Sequence, residues 1–199
     1  MRFFKKIVTV ILLQHSLLIY AAEITQPLQE NKPVLYKNKA YRFSFLLPVD
    51  WKKQTGDVNS NNVLFMRLPL SQSCSFQFNI TPMPTNFPTE MVVDAGLKTA
   101  LVQVKQKKLF SAQRRDFVHD EKVLSKEKGK EVESIKPVTF VRGWEVMENR
   151  QETGLQRLVY QAYNKSNAYF NFIATASNEN FTQCQPQLQQ IMASIQFAP

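Results

Sequence analysis

Glycine is scarce in this chain: 199 residues hold five, Gly56, Gly96, Gly129, Gly143 and Gly154, and no two are close together. A phosphate-cradling loop needs clustered glycines so that backbone N–H groups can approach the anion, so nucleotide enzymes built on such loops are excluded. Histidine is scarcer still, with two residues. His15 lies in the N-terminal apolar run, which leaves His119 alone, and a single histidine without His-Glu-x-x-His spacing makes no metal site. No Gly-x-Ser-x-Gly elbow and no Cys-x-x-Cys pair occurs, so no catalytic motif marks a serine nucleophile or a thiol redox centre. Nothing in these residues calls for a cofactor. The longest apolar run, Ile7 to Tyr20, has 14 residues interrupted by Gln14, His15 and Ser16. As a helix it would reach about 21 Å, against about 30 Å of bilayer hydrocarbon.

What is present begins with a targeting pattern. Basic Arg2, Lys5 and Lys6 precede that run, and Ala21-Ala22 follow it before polar Glu23. Residues 1–22 therefore read as a secretory signal peptide cleaved after Ala21 or Ala22. Ile19 or Tyr20 would then sit three residues before the cut, where a small residue is usual, so an uncleaved anchor is the alternative. With no cysteine at the junction, lipoprotein modification has no acceptor. Removing residues 1–22, which carry three basic and no acidic groups, lowers the formal charge from +9 to +6. A basic protein in the periplasm or outside the cell is expected to meet anionic envelope components or an acidic protein rather than nucleic acid, with peripheral membrane contact compatible. Export also makes pairing the default for Cys74 and Cys184.

Hydrophobic residues make up 44% of the chain and aromatics 12%, with 15 Phe, enough for one folded core. Residues 23–39 form a polar leader arm, and a single domain spans 40–199. Tyr41, Phe43, Phe45 and Leu47 alternate with Arg42, Ser44 and Leu46, a half-buried strand stopped by Pro48. Residues 63–68 and 73–81 are further strands, the latter with Cys74, Phe76, Phe78 and Ile80 on one face. After a proline-rich break, Thr89 and Glu90 open a helix whose apolar stripe is Val93, Leu97, Leu101 and Val104. The mixed charges of 116–136 around Gly129 suit a solvated hairpin or a mobile loop, and the hairpin is favoured. Residues 138–149, 155–164 and 168–177 make an antiparallel meander. A last helix carries Leu188, Ile191, Met192 and Ile195, started either by a Thr182/Gln185 capping box or by Pro186 at its first position.

The segment Tyr41-Arg-Phe-Ser-Phe-Leu-Leu-Pro-Val-Asp-Trp51, the middle helix, the late meander and the ending Ile191-Met-Ala-Ser-Ile-Gln-Phe197 resemble the Mog1/PsbP-like group, which includes bacterial DcrB-like periplasmic proteins. The resemblance spans roughly 40–197 and implies an α+β fold, an antiparallel sheet of about six strands flanked by helices. It also implies binding or assembly without chemistry, and carries over no site residue.

Four groups of residues are candidates for function. Lys98, Lys105, Lys107, Lys108, Arg114 and Arg115 occur with no acidic residue between Ala95 and Arg115, a basic face for an anionic partner. Trp51 and Trp144 are candidate aromatic anchors, with core packing as the plainer role. Cys74 and Cys184 share the core register if the last helix starts early, so a disulfide is expected, with buried thiols as the alternative. His119, with Asp116 and Asp120 beside it, is the candidate base of an extracytoplasmic hydrolase; its plainer role is an exposed ring in a charged turn. Glu145 and Glu148, near Arg142 and Arg150, read as cross-strand surface charge. A carrier of a small apolar ligand is a further alternative, and it requires an enclosed apolar cavity between sheet and helix.

Overall fold

The computed structural model describes residues 32–57, 60–67, 74–127, 130–150, 153–165 and 167–199. The expected signal peptide and residues 23–31 of the leader arm lie outside these.

Eleven strands and two helices are described. In chain order they are β1 (Val34–Asn38), β2 (Phe43–Leu47), β3 (Trp51–Thr55), β4 (Asn62–Arg67), β5 (Cys74–Pro82), α1 (Thr89–Lys105), β6 (Leu109–Arg114), β7 (Phe117–Glu127), β8 (Lys130–Arg150), β9 (Leu155–Asn164), β10 (Ala168–Ser177), α2 (Phe181–Ala193) and β11 (Gln196–Phe197). All described strand pairings are antiparallel. The large sheet runs β3-β4-β5-β10-β9-β8-β6, with β7 also on β8, and a small sheet runs β1-β2-β11. The fold is thus α+β, as expected, with more strands than the sequence suggested. Val34–Asn38, assigned from sequence to the leader arm, form a strand because Leu35, Tyr36 and Lys37 find register opposite Leu46, Phe45 and Ser44.

Alternation sorts each strand of the large sheet into two faces. One face carries Val63, Phe65, Phe76, Phe78, Phe170, Phe172, Ala174 and Tyr160, all buried. Over it lie the inward residues of α2, Phe181, Cys184, Leu188, Ile191 and Met192, and those of the small sheet, Phe43, Phe45 and Phe197. The rings interlock edge to face, as Phe45 does with Phe76 at 4.9 Å and Phe170 with Phe197 at 5.0 Å, the arrangement that aromatic quadrupoles favour. Gly143 is required where Tyr160 lies across β8: a Cβ there would come within 2.5 Å of the Gln161 carbonyl oxygen and 2.8 Å of the Tyr160 ring. Cys74 and Cys184 form the expected disulfide, tying the start of β5 to α2.

α2 begins at Phe181 after Asn180, earlier than either start read from sequence, and holds Pro186 inside it. This early start brings Cys184 onto the buried stripe with Leu188 and Ile191.

β7 and β8 form the expected hairpin, pairing from Phe117 opposite Val141 to Glu127 opposite Lys130. Because β9 begins to pair with β8 only at Val141, most of this hairpin runs beyond the large sheet as a two-stranded ribbon.

Candidate functional site

The six basic residues grouped by sequence divide in two. Lys98, Lys105, Lys107 and Lys108 are exposed, on the outer side of α1 and in the turn that follows it. The first two are seven residues apart, two helical turns, so they share one stripe. Lys107 sits at a left-handed φ of 59°, which ends the helix and turns the chain into β6. None of the four is in a described ion pair. Around them Met91, Leu101, Val102 and Phe110 are also exposed, Phe110 to 55%.

Arg114 and Arg115 do not belong to that face. Arg114 Nε donates to both oxygens of Asp116 at 2.8 and 2.9 Å, and Nη1 donates to Asp94 of α1. These carboxylates, Asp116 first, raise the affinity of the guanidinium for its proton. Arg115 turns inward. Its Nη1 donates to Glu145 at 3.1 Å and to the Met192 carbonyl at 2.8 Å, while Nη2 reaches the Ala193 and Ile195 carbonyls at 3.4 and 3.3 Å. The same guanidinium lies 4.7 Å from the Tyr160 ring centroid and 5.6 Å from that of Phe117. Alternation along β6 explains the separation, because Arg114 points to the α1 side of the sheet and Arg115 follows after the strand has ended.

The tryptophans also part. Trp51, 2% exposed, is a core residue whose indole N–H donates to Gln187 Oε1 at 2.9 Å. Trp144 lies on the opposite face of the sheet, under α1, packed with Val93 and Ala100. The buried positions of α1 are therefore Val93 and Ala100, and Leu101, counted in the sequence stripe, is 43% exposed. The indole sets this rotation: a Cβ on Gly96 would meet it at 2.7 Å, so the helix presents its smallest residues to it.

His119 is half-buried on β7, edge to face with Phe140 at 5.1 Å, and its Nδ1 has no hydrogen-bond partner among the described residues. Asp116, a neighbour in sequence that could have oriented it, instead holds Arg114 and accepts from the Gly143 N–H at 3.0 Å. Glu145 and Glu148 fall on opposite faces of β8: Glu145 meets Arg115, while Glu148 meets Arg157 at 3.3 Å and Arg150 at 3.4 Å. Arg142 reaches Glu90 of α1 at 3.4 Å.

Between α1 and the sheet lies an open cleft of about 690 Å³. Its roof is Val92, Ala95, Gly96, Thr99, Ala100 and Gln103, one continuous face of the helix. Its floor is three successive cross-strand rows, Trp144-Gln161-Asn171, then Val146-Val159, then Glu148-Arg157 with Arg150 beyond. Burial lowers the proton affinity of Arg157. Asn171 Oδ1 is screened from solvent and has no hydrogen-bond partner among the described residues. This is not the enclosed apolar cavity that an apolar-ligand carrier requires, since both ends are polar. A smaller hollow of about 280 Å³ lies on the other face beside α2, lined by Gln113, Glu145, Met147, Leu158, Gln189 and Met192 among others. Sequence reading missed Gln161, Asn171 and Arg157 as site residues. They lie on two strands, and only the strand register puts them against α1.

Among the described residues no helix is long and apolar enough to cross a membrane, and no three His, Cys, Asp or Glu side chains group as metal ligands would.

No family model matches the chain, and no curated protein does. Solved structures do. The chain is similar to cyanobacterial PsbP (CyanoP) from Synechocystis sp. PCC 6803, with 14% identity over 89% of this chain and 99% of that one, and a TM-score of 0.43. It is also similar to PA94, a protein of unknown function from Pseudomonas aeruginosa, with 13% identity over 84% of this chain and 99% of that one, and a TM-score of 0.32.

Proposed function

We propose that the protein is a non-catalytic binding or assembly module of the extracytoplasmic space that meets an anionic partner with the lysine face of α1 and the α1–β6 turn. The observation that carries this reading is the exposure of Lys98, Lys105, Lys107 and Lys108 without described ion pairs, around exposed Leu101, Val102 and Phe110. Unpaired lysines cost nothing to leave in water, and they gain Coulomb energy at an anionic surface that salt screens within about 10 Å at 0.1 M. Apolar side chains among them add area that a partner removes from water. The signal-like N-terminus and the Cys74–Cys184 disulfide support the compartment.

The test is a pull-down from the native envelope fraction and sedimentation with anionic vesicles, each at low and high salt. Binding that is lost at high salt and in Lys98→Glu/Lys105→Glu/Lys107→Glu/Lys108→Glu supports the reading. Binding that persists through either change sinks it. A second reading, carriage of a small molecule, is favoured by the cleft under α1.

A further inference from the structure

The α1 cleft has three chemically distinct stretches, and their order along the strands restricts what fits. At one end two guanidinium groups, Arg157 and Arg150, share one carboxylate, Glu148. Arg157 and Glu148, each 17% exposed, pair with one another, and Arg150, 52% exposed, adds a second positive charge at the outer edge of the cleft. A second carboxylate or similar anion would complete that set with charge-assisted bonds. The middle has Val146 and Val159 below and Ala95 and Ala100 above, with Thr99 between these two, its hydroxyl donating to the Ala95 carbonyl at 2.9 Å, and Gln103 one turn further along the roof. At the far end are the side-chain amides of Gln161 and Asn171, the latter with its Oδ1 turned away from solvent and without a partner among the described residues. A half-turn of that amide presents either its oxygen or its nitrogen, so a group that both donates and accepts suits it best. Gln161 is four residues from Arg157 along β9, so the two ends are about 13 Å apart at the rise of an antiparallel strand.

These distances and chemistries exclude several classes. A sugar or an extended peptide would lay polar groups without partners across the valines and alanines, each at a cost of about 1–3 kcal/mol. A polyphosphate carries more charge than one uncompensated guanidinium matches. What fits is an apolar chain with an anion at one end and a hydroxyl at the other, and the volume lies in the usual range for small-molecule sites.

We propose that the cleft between α1 and the sheet binds a medium-chain acyl carboxylate with a terminal hydroxyl. The carboxylate lies at Arg157 and Arg150, the chain runs between Val159 and Ala100, and the hydroxyl meets the amides of Gln161 and Asn171. This site is separate from the lysine face, which lies on the outer side of the same helix.

Calorimetric titration of the folded protein with ω-hydroxydecanoate, decanoate and decanol tests it. The expected order of affinity is ω-hydroxydecanoate above decanoate by roughly three- to tenfold, one hydrogen bond's worth, and decanoate above decanol by at least about tenfold. Arg157→Gln should remove the preference for the acid over the alcohol. Thr99→Phe, which fills the cleft from an exposed roof position outside the core, should abolish binding while leaving the melting temperature near that of the parent. The quadruple lysine variant should bind the ligand unchanged, which separates failure here from failure of the lysine-face reading. Absence of saturable binding by any of the three compounds, equal binding of acid and alcohol, or binding that survives Thr99→Phe in a folded variant each overturns the proposal.

Discussion

Arg115 is where the described structure most changes the expected effect of a single substitution. As part of a basic surface, Arg115→Ala would leave folding untouched and weaken only the binding of an anion. In the structure one guanidinium joins the start of β7, Glu145 of β8, the rings of Phe117 and Tyr160, and three carbonyls at and just beyond the end of α2. A hydrogen bond from a charged donor is worth about 1.5–3 kcal/mol, a cation at a helix C-terminus up to about 2, and a desolvated cation–π contact about 0.5–2. These belong to one group and do not add, so truncation should cost about 3–4 kcal/mol, at the upper end for a single substitution. At about 2–4 °C per kcal/mol for a domain of this size, the melting temperature should fall by about 10 °C. Arg115→Lys keeps the charge but loses the planar fork and should recover part of the loss. Chemical denaturation of Arg115→Ala, Arg115→Lys and the exposed control Lys108→Ala checks this. A cost for Arg115→Ala below about 1 kcal/mol, or one no larger than that of Lys108→Ala, refutes the argument.

The disulfide closes a loop between positions 110 residues apart. Replacing Cys74 and Cys184 with alanine should cost about 4–5 kcal/mol in the chain-entropy account, read as a drop in denaturation midpoint, and equal midpoints for parent and variant would contradict it. Burial pushes the Tyr169 phenol up to about 12, helped by neighbouring Tyr163, and raises Tyr163 and the deeply buried Tyr160 as well. Folding therefore favours the neutral phenols. That contribution is complete below the unfolded value of 10.0 and is lost as pH rises through about 12, so stability should decline across this alkaline window. Tyrosinate absorbance should show a late-titrating class in the folded protein that moves to the ordinary range in denaturant. Uniform titration of the native protein near pH 10 would count against it.

Legibility from sequence followed the range of the physics. Period-two alternation in Phe43–Leu47 and Cys74–Pro82 and the polar turn before β10 are local signals, and those strands were readable. β1 was missed because Leu35 and Tyr36 make a strand only when β2 lies beside them. The stripe on α1 was misjudged at Leu101 because the bulk of Trp144, from a distant strand, decides which side of the helix can come close. The basic run was read as one face because adjacency in sequence was taken for adjacency in space. Alternation sends Arg114 to Asp116 and Asp94, and the end of β6 at Arg114 leaves Arg115 free to turn to the end of α2.

Composition, charge and periodicity by themselves determined the α+β class, the disulfide partners and the lysines outside the core. Each depends on residue type or on spacing within one segment. Which arginines hold the fold, which tryptophan is core and which floors a cleft, and how Gln161, Asn171 and Arg157 come to line one groove were decided by the tertiary structure. Those outcomes depend on strand register and on the rotation of α1 over the sheet, which are set by contacts between residues far apart in the chain.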